Sequence, residues 1–401
     1  MMSQTIALLI DAYRELNAKK LFWIVLILSG IFVLAMACLG NDAKGLTILV
    51  WHIDLPFAGT NVISRPMFYK ILFLFAGINV WLTWAATGLA LISTAGIIPD
   101  FIGSGSIELA LSKPIGRVRL FLTKYMTGLL FVAMQVTVFC AGTFLVLGFR
   151  GGEWSWRLFL GIPIVLVFFS YLYCVCALIG LLTRSTIAAL LLTVLFWLMI
   201  FLVHTAEATV LQFKVRYDMA ATLQAGRLTE KASALEELRS QRARLDASPP
   251  PSGESPPTEL EQEKAKLALD VKITSASETY AAREKKLEST RGTQRSLTIA
   301  HSILFGTKTV MPKTAETIAL LSRWLISKEE AEKLLPDPPP DSQRSPFSEP
   351  ERDIRVSERD IQKEMQRIIR ERSLGWVVGT SVVFELVILC MAAWIFRRRD
   401  F

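Results

Sequence analysis

Six apolar runs, each long enough to cross a membrane, constrain this chain more than any other feature of its sequence. The first, Leu21 to Leu39, is uncharged and about 19 residues long, close to the minimum for a helix that crosses a hydrocarbon core of about 30 Å. The other five cover approximately residues 71–98, 125–148, 158–182, 186–208 and 374–396. With 52% hydrophobic residues and a mean hydropathy of +0.41, the chain is too apolar for a soluble domain. We predict an all-α polytopic membrane protein with six transmembrane helices.

The apolar runs divide the chain into three predicted parts. Residues 1–210 form a membrane domain with the first five spans, preceded over residues 3–20 by an amphipathic helix that lies in the membrane interface. Residues 211–372 are hydrophilic and form an insertion, and residues 373–401 hold the sixth span and a basic tail. In the loop between the first two spans, the pattern of Leu46 to Leu55 predicts a strand.

The insertion has the composition of a helical hairpin. Residues 218–246 and 258–290 are rich in Ala, Glu, Lys, Leu and Arg, and a proline-rich break separates them. Four leucines follow an a/d rhythm that polar residues interrupt, which predicts a thin coiled-coil seam: Leu228, Leu235, Leu238 and Leu245. Residues 297–326 are too short to span and are expected to pack on the membrane surface or on other helices. A capping box at 327–330, a linker at 337–350 and a charged helix over 353–372 follow.

Residues 99–124 form a basic amphipathic loop between the second and third spans. Ser106 is placed to cap a short helix, which Pro114 ends. Arg117, Arg119 and Lys124 then anchor the return into the membrane. The loop is too polar to cross a bilayer, so we expect it to lie along the membrane face, where a soluble partner reaches it.

The distribution of basic residues predicts the orientation. Eleven lysines and arginines flank the spans on one side: Arg14, Lys19, Lys20, Lys113, Arg117, Arg119, Lys124, Arg184, Arg397, Arg398 and Arg399. Five lie in the short loops of the other side: Lys44, Arg65, Lys70, Arg150 and Arg157. By the positive-inside rule both termini and the 99–124 loop are cytoplasmic, and the 211–372 insertion is extracytoplasmic.

The sequence lacks the motifs of an enzyme or a metalloprotein. It contains no GxxxxGK[ST] loop, no HExxH and no GxSxG, and its five cysteines all lie in apolar runs without zinc-ligand spacing. We therefore predict no catalytic residues, no bound cofactor and no metal. The net charge of +8 is explained by basic residues beside the spans, where anionic lipid attracts them, so we expect membrane lipid and no nucleic acid as a partner.

Three polar residues inside the spans are candidate functional groups. Asn79 lies in the second span, Gln135 in the third and Glu385 in the sixth. An ionisable group at mid-membrane costs a few kcal/mol unless it is paired or protonated. Glu385 is expected either to line a substrate path, to contact a second subunit, or to form a structural hydrogen bond with Asn79 or Gln135.

The 99–124 loop resembles the cytoplasmic loop of ABC-2-type transporter permeases, in the six-span branch related to copper-enzyme maturation and gliding-motility permeases. The resemblance is carried by Gly105-Ser-Ile-Glu108-Leu, by Leu111-Ser-Lys113-Pro114-Ile-Gly-Arg117 and by Lys124-Tyr125, and extends to the six spans and the basic tail. It implies a coupling helix that contacts the ATPase through Gly105, Glu108, Lys113, Pro114, Arg117 and Lys124. It also implies two cytoplasmic ABC ATPase subunits, which hold ATP and Mg²⁺, a second permease copy or relative, and a bacterial cytoplasmic membrane.

The insertion is longer than the family's usual connection between the fifth and sixth spans, and this leaves three functions open. The chain is a permease that moves a substrate, or a mechanical transmitter in which ATP-driven motion acts on an extracytoplasmic protein through residues 211–372 without transport. The third alternative is a polytopic scaffold without an ATPase.

Overall fold

The computed structural model describes residues 20–43, 45–49, 51–54, 59–60, 63–103, 116–247, 259–326 and 356–399. The capping box predicted at 327–330, the linker predicted at 337–350 and all but Lys20 of the interfacial helix predicted over 3–20 lie outside these residues. Contacts divide the described chain into two compact units. The first comprises the described parts of Met1–His204, Gly306–Leu335 and Arg372–Phe401, and the second those of Thr205–Phe305 and Pro336–Glu371.

Six helical stretches are long and apolar enough to cross a membrane, as predicted: Lys20–Cys38, Arg65–Gly103, Arg117–Gly151, Trp156–Thr183, Thr186–Ala247 and Gly375–Arg398. The protein is therefore an all-α polytopic protein in its main architecture. The helices are α1 (Lys20–Cys38), α2 (Arg65–Leu72), α3 (Thr87–Thr94), α4 (Ile97–Gly103), α5 (Arg117–Val146), α6 (Gly161–Thr183), α7 (Thr186–Ala247), α8 (Glu259–Val310), α9 (Thr314–Leu325), α10 (Glu358–Glu371) and α11 (Thr380–Arg398). A π-helical segment, Phe73–Ala86, joins α2 to α3, and two shorter ones, Leu147–Gly151 and Gly375–Gly379, end α5 and precede α11.

Helix α6 is the centre of the first unit. It packs against α4, α5, α9 and α11. Of the residues in its most apolar stretch, 83% are buried. The corresponding fractions are 22% for α1, 22% for α7 and 11% for α11, so these helices present their apolar surface to lipid or to another subunit. At the α5 and α6 contact a Cβ on Gly128 would lie 2.4 Å from the Tyr173 ring, so only glycine permits this close approach.

A small antiparallel sheet follows α1, with strands β1 (Leu39–Asp42), β2 (Gly45–Ile48) and β3 (Trp51–Asp54) in that order. Gly40 pairs with Thr47, and Thr47 pairs with His52. The strand predicted over Leu46 to Leu55 is divided into two, because the chain turns at Leu49, which has a φ of 55°. Helix α9, from the apolar 297–326 region, packs on α6 within the first unit.

The second unit contains the predicted antiparallel pair of helices, formed by α7 and α8. Gln294 Nε2 donates to Asp218 Oδ1 at 2.9 Å, and further along the pair Arg242 Nε donates to Asp270 Oδ1 at 2.8 Å. Of the four a/d leucines only Leu235 is buried, which fits a thin seam. A separate apolar cluster joins Leu211 and Val215 of α7 to Ile361 of α10.

Candidate functional site

The resemblance points to the loop after α4, and the structure describes only its two ends. Gly105, Glu108, Lys113 and Pro114 lie outside the described residues. Of the residues predicted to couple to an ATPase, Arg117 and Lys124 are described, both on α5. The geometry of the site is therefore that of the helix ends from which the loop emerges.

Arg117 opens α5 and binds the C-terminal tail. Its Nη1 donates to the carbonyl oxygen of Arg397 at 3.3 Å and to that of Arg399 at 3.0 Å. These carbonyl groups belong to the last turn of α11 and the residue after it, where a helix leaves its carbonyls without intrahelical partners. An arginine at this point donates hydrogen bonds to these carbonyl groups, and its positive charge interacts favourably with the negative end of the helix dipole.

Arg399 continues this network from the tail to α6. Its guanidinium donates to the carbonyl oxygens of Leu181 and Leu182, the latter at 3.3 Å. Helix α6 ends here because Arg184 adopts a left-handed conformation, with a φ of 54°. The first turn of α5, the tail and the last turn of α6 are thus joined by arginine–carbonyl hydrogen bonds.

The other end of the loop is fixed in a similar way. Asp100, in α4, accepts a hydrogen bond at its Oδ1 from the Thr186 hydroxyl at 3.2 Å, which ties α4 to the first residue of α7. Between the two loop ends, the Lys124 ammonium lies 5.2 Å from the centre of the Phe101 ring, a cation–π contact between α5 and α4. The helix ends that flank residues 104–115 in the sequence are therefore tied to α7, to the tail and, through the tail, to α6.

Glu385 meets other partners than those predicted. Its Oε1 accepts a hydrogen bond from the Tyr125 hydroxyl at 3.0 Å and its Oε2 from the Ser170 hydroxyl at 2.9 Å. The carboxyl group is hydrogen bonded to side chains of α5 and α6, and no hydrogen bond joins it to Asn79 or Gln135, whose pairing with Glu385 was one of the expected alternatives. Neither the tyrosine nor the serine stands out in the sequence as a partner for a carboxylate.

The two amides predicted in the spans have contrasting environments. Asn79 is exposed on the π-helical segment, where a polar group faces lipid or another subunit. Gln135 is 4% exposed, and its Nε2 has no hydrogen-bond partner among the described residues. The structure therefore brings none of the three predicted intramembrane groups together.

A buried ionic cluster that the sequence did not predict lies in the first unit. Glu316 of α9 pairs with Lys308, and its Oε1 lies 3.0 Å from Arg372 Nη1 and 3.5 Å from His204 Nδ1. Burial by itself raises the pKa of a carboxyl group, but His204 and Lys308 outweigh it and lower the pKa of Glu316 to about 2. The signal in the sequence was the presence of Lys308, Lys313 and Glu316 inside an otherwise apolar segment.

Lys313 forms the other half of this polar region. Its ammonium donates to the Thr380 hydroxyl at 2.6 Å and to the Thr309 carbonyl oxygen at 3.0 Å, and lies 4.6 Å from the Trp376 ring centre. Burial lowers the pKa of Lys313 to about 8, an effect that the charge of Glu316 partly opposes. These contacts hold α9 on the residues that lead into α11.

The chain was compared with known families, sequences and structures. No protein-family model, curated protein sequence or solved structure matches it, so the resemblance to ABC-2-type permeases depends on the motifs of the 99–124 loop, the six spans and the basic tail.

Proposed function

We propose that this chain is the membrane subunit of an ABC-2-type transporter, which moves a substrate across a bacterial cytoplasmic membrane with ATP hydrolysed by a separate ATPase subunit. The observation that carries the proposal is the fixation of the two helix ends that flank residues 104–115, through Asp100 of α4 and Arg117 of α5. If residues 104–115 only shielded helix ends from solvent, hydrogen bonds from the flanking helices to α7 and the tail, and from the tail to α6, would not be required.

The proposed mechanism follows from these contacts. An ATPase docked on Glu108 and neighbouring residues moves the loop when it binds and hydrolyses ATP. Because Arg117 and Arg399 join α5 to the tail and to α6, a displacement of the loop acts on the central helix of the membrane unit as well as on α4 and α5. Packed helices change between discrete arrangements, so a small push at the loop is converted into a rearrangement of the spans.

The proposed second copy of the permease has surface available to it. Helices α1, α7 and α11 are the least buried spans of the described chain, and Asn79 adds an exposed amide in the second span. Polar side chains that face outward in a span form hydrogen bonds across helix interfaces in membranes.

Replacing Glu108 with lysine tests the docking proposal. We expect Glu108→Lys to lose ATPase co-purification and substrate-dependent ATP hydrolysis while the protein still inserts into the membrane, because the new charge repels a basic docking surface. The matched control is Glu236→Lys, which makes the same charge change at an exposed position of α7. Unchanged ATPase docking in the Glu108→Lys protein would disprove the coupling role.

A mechanical transmitter remains a second candidate, because α7 is one helix of 62 residues that contains both the fifth span and an arm of the hairpin. Asp218 and Gln294 are hydrogen bonded across the pair, so residues 219–293 can be replaced by a short Gly–Ser linker without separating the arms. Transport retained in this shortened protein favours the exporter. ATPase activity retained with loss of an extracytoplasmic binding partner favours the transmitter.

A further inference from the structure

A small polar pocket lies in the first unit at the end of α5 farthest from Arg117. Helix α5 runs from Arg117 to the π-helical turn at Arg150, a rise of about 50 Å at 1.5 Å per residue. Around Phe149 and Arg150 the pocket is lined by residues of β1 and β2, by Leu49, and by Arg65 and Tyr69 of α2. Its volume is about 360 Å³, which is in the range of small-molecule sites.

Two arginines give this pocket a positive charge. Arg65 and Arg150 both line it, and Asp42 is the one acidic residue among its described lining residues. Neither arginine forms an ion pair with a carboxylate in the described part of the chain. Arg150 Nε instead donates to the Tyr69 hydroxyl oxygen at 3.4 Å, and that hydroxyl donates to the Leu39 carbonyl oxygen at 2.7 Å. The phenol thus positions the guanidinium without neutralising it.

A buried amide in the same pocket lacks a partner for its acceptor. Asn41 is 5% exposed, and its Nδ2 donates to the Ile63 carbonyl oxygen at 2.8 Å, which fixes the orientation of the amide. Its Oδ1 has no hydrogen-bond partner among the described residues. A buried acceptor left without a donor costs about 1–3 kcal/mol, so this group points to a missing donor.

Gly40 lines the pocket together with Thr47 and Arg150. A Cβ at this position would lie 2.8 Å from Thr47 Oγ1 and 3.5 Å from Arg150 Nη2. Gly40 and Thr47 are paired directly opposite each other across β1 and β2. A side chain at this position would therefore displace the Thr47 hydroxyl, which lines the pocket, and would only touch the guanidinium.

We propose that this pocket binds the phosphate ester of a small polyol, either free or as the headgroup of an anionic lipid. Arg65 and Arg150 bind the phosphate, since a planar guanidinium matches the geometry of phosphate oxygens. A hydroxyl group of the polyol donates to Asn41 Oδ1, and Asp42 accepts from a second hydroxyl. The proposal is independent of the ATPase, because the pocket and the 104–115 loop share no residue.

Calorimetric titration of the full-length protein in neutral detergent tests the free ligand, with glycerol 3-phosphate as the probe and with inorganic phosphate and glycerol as comparisons. We expect saturable binding of glycerol 3-phosphate, with weaker binding of either comparison ligand. A second arm measures the thermal unfolding midpoint in nanodiscs of phosphatidylcholine with and without phosphatidylglycerol. Binding in the first arm identifies a soluble ligand, and stabilisation only in the second identifies a lipid headgroup.

Substitutions assign the binding to the pocket. Arg65→Gln and Arg150→Gln should each weaken binding by about tenfold or more, the effect of losing a hydrogen bond to a charged group. Arg157→Gln is the matched control, because Arg157 is exposed at the same end of the unit and does not line the pocket. Both pocket arginines are exposed, so their substitution is expected to leave the unfolding midpoint without ligand unchanged. Absence of binding in both arms, or equal binding by Arg150→Gln and Arg157→Gln, would overturn the proposal.

Discussion

Glu385 is an ionisable residue whose hydrogen-bond donors, Tyr125 and Ser170, have other acceptors nearby. The Tyr125 hydroxyl also lies 3.2 Å from the Ser170 carbonyl oxygen. The Ser170 hydroxyl likewise lies 2.9 Å from the carbonyl oxygen of Val167. Both donors therefore keep an acceptor when the carboxyl group is removed. A mid-span carboxyl group that costs a few kcal/mol and satisfies no otherwise unpaired group is best explained by function.

We predict that Glu385→Leu keeps the free energy of unfolding within about 1 kcal/mol of the wild type, or raises it, while it lowers the substrate-dependent ATPase activity of the complex. Glu385→Gln retains a hydrogen-bond acceptor, so its ATPase activity should lie between that of the wild type and that of Glu385→Leu. Thermal unfolding in detergent and ATPase assays of the same preparations measure both quantities. A loss of stability above about 2 kcal/mol in the leucine variant would instead make Glu385 a structural residue.

Glu316 gives the first unit a predictable dependence on acid. Its pKa in the folded protein is about 2, below the usual value of about 4.3, so the folded state favours the ionised form. The resulting stability is present above pH 4.3 and is lost as the pH falls toward 2, by roughly 3 kcal/mol in total. Thermal unfolding measured between pH 5 and pH 2 should show this loss.

The control for the acid titration is Glu316→Gln. This variant should be less stable at pH 7, because Lys308 and Arg372 lose their buried counter-charge. Its stability should also change less between pH 5 and pH 2. An identical slope in both proteins would assign the acid sensitivity to other carboxyl groups.

At the scale of the elements, Arg399 of the tail caps the end of α6, and this capping leads to a further prediction. Arg399→Gln removes the charged donors to the Leu181 and Leu182 carbonyl oxygens, so the last turn of α6 should fray. Hydrogen exchange of the Arg184 amide, which donates to Gly180 at 3.0 Å, should be faster by about threefold to tenfold.

Arg398→Gln is the matched control for the capping by Arg399. Arg398 is the preceding residue of the tail, and its guanidinium lies 4.4 Å from the Trp394 ring centre on its own helix. Exchange at the end of α6 should therefore stay at the wild-type rate. Equal acceleration in both variants would attribute the effect to the loss of positive charge rather than to capping.

The elements also show what could be predicted from the sequence. The apolar runs gave the six spans, because run length alone decides whether a helix crosses the membrane. They did not reveal that α7 continues from the fifth span to Ala247, since no proline interrupts the helix where the composition changes. Rotation of each helix about its axis has no local signal, which is why Tyr125 and Ser170 were not predicted as partners of Glu385 and the Glu316 cluster was missed.

At the scale of the whole molecule, the two units differ in how much they bury. In the first unit α6 is almost wholly enclosed, whereas along the α7 and α8 pair of the second unit the buried apolar side chains are few and include Leu235 and Leu287. Most side chains between residues 225 and 247 are exposed or half-buried. Because local opening is resisted mainly by buried apolar contacts, the two units should open with different free energies.

We predict that backbone amides of Phe168–Leu178 exchange with solvent at least about a hundredfold more slowly than those of residues 225–247, equivalent to about 2.8 kcal/mol in opening free energy. Hydrogen exchange with mass spectrometry on the detergent-solubilised protein measures both segments in one experiment. Helix α1 serves as an internal reference, because it is apolar but only 22% buried and so reports the protection given by detergent alone. Protection of residues 225–247 equal to that of α6 would mean that a partner or a second copy covers the hairpin. That result would favour the mechanical transmitter, since a transmitter needs a bound partner where a simple exporter leaves the insertion free.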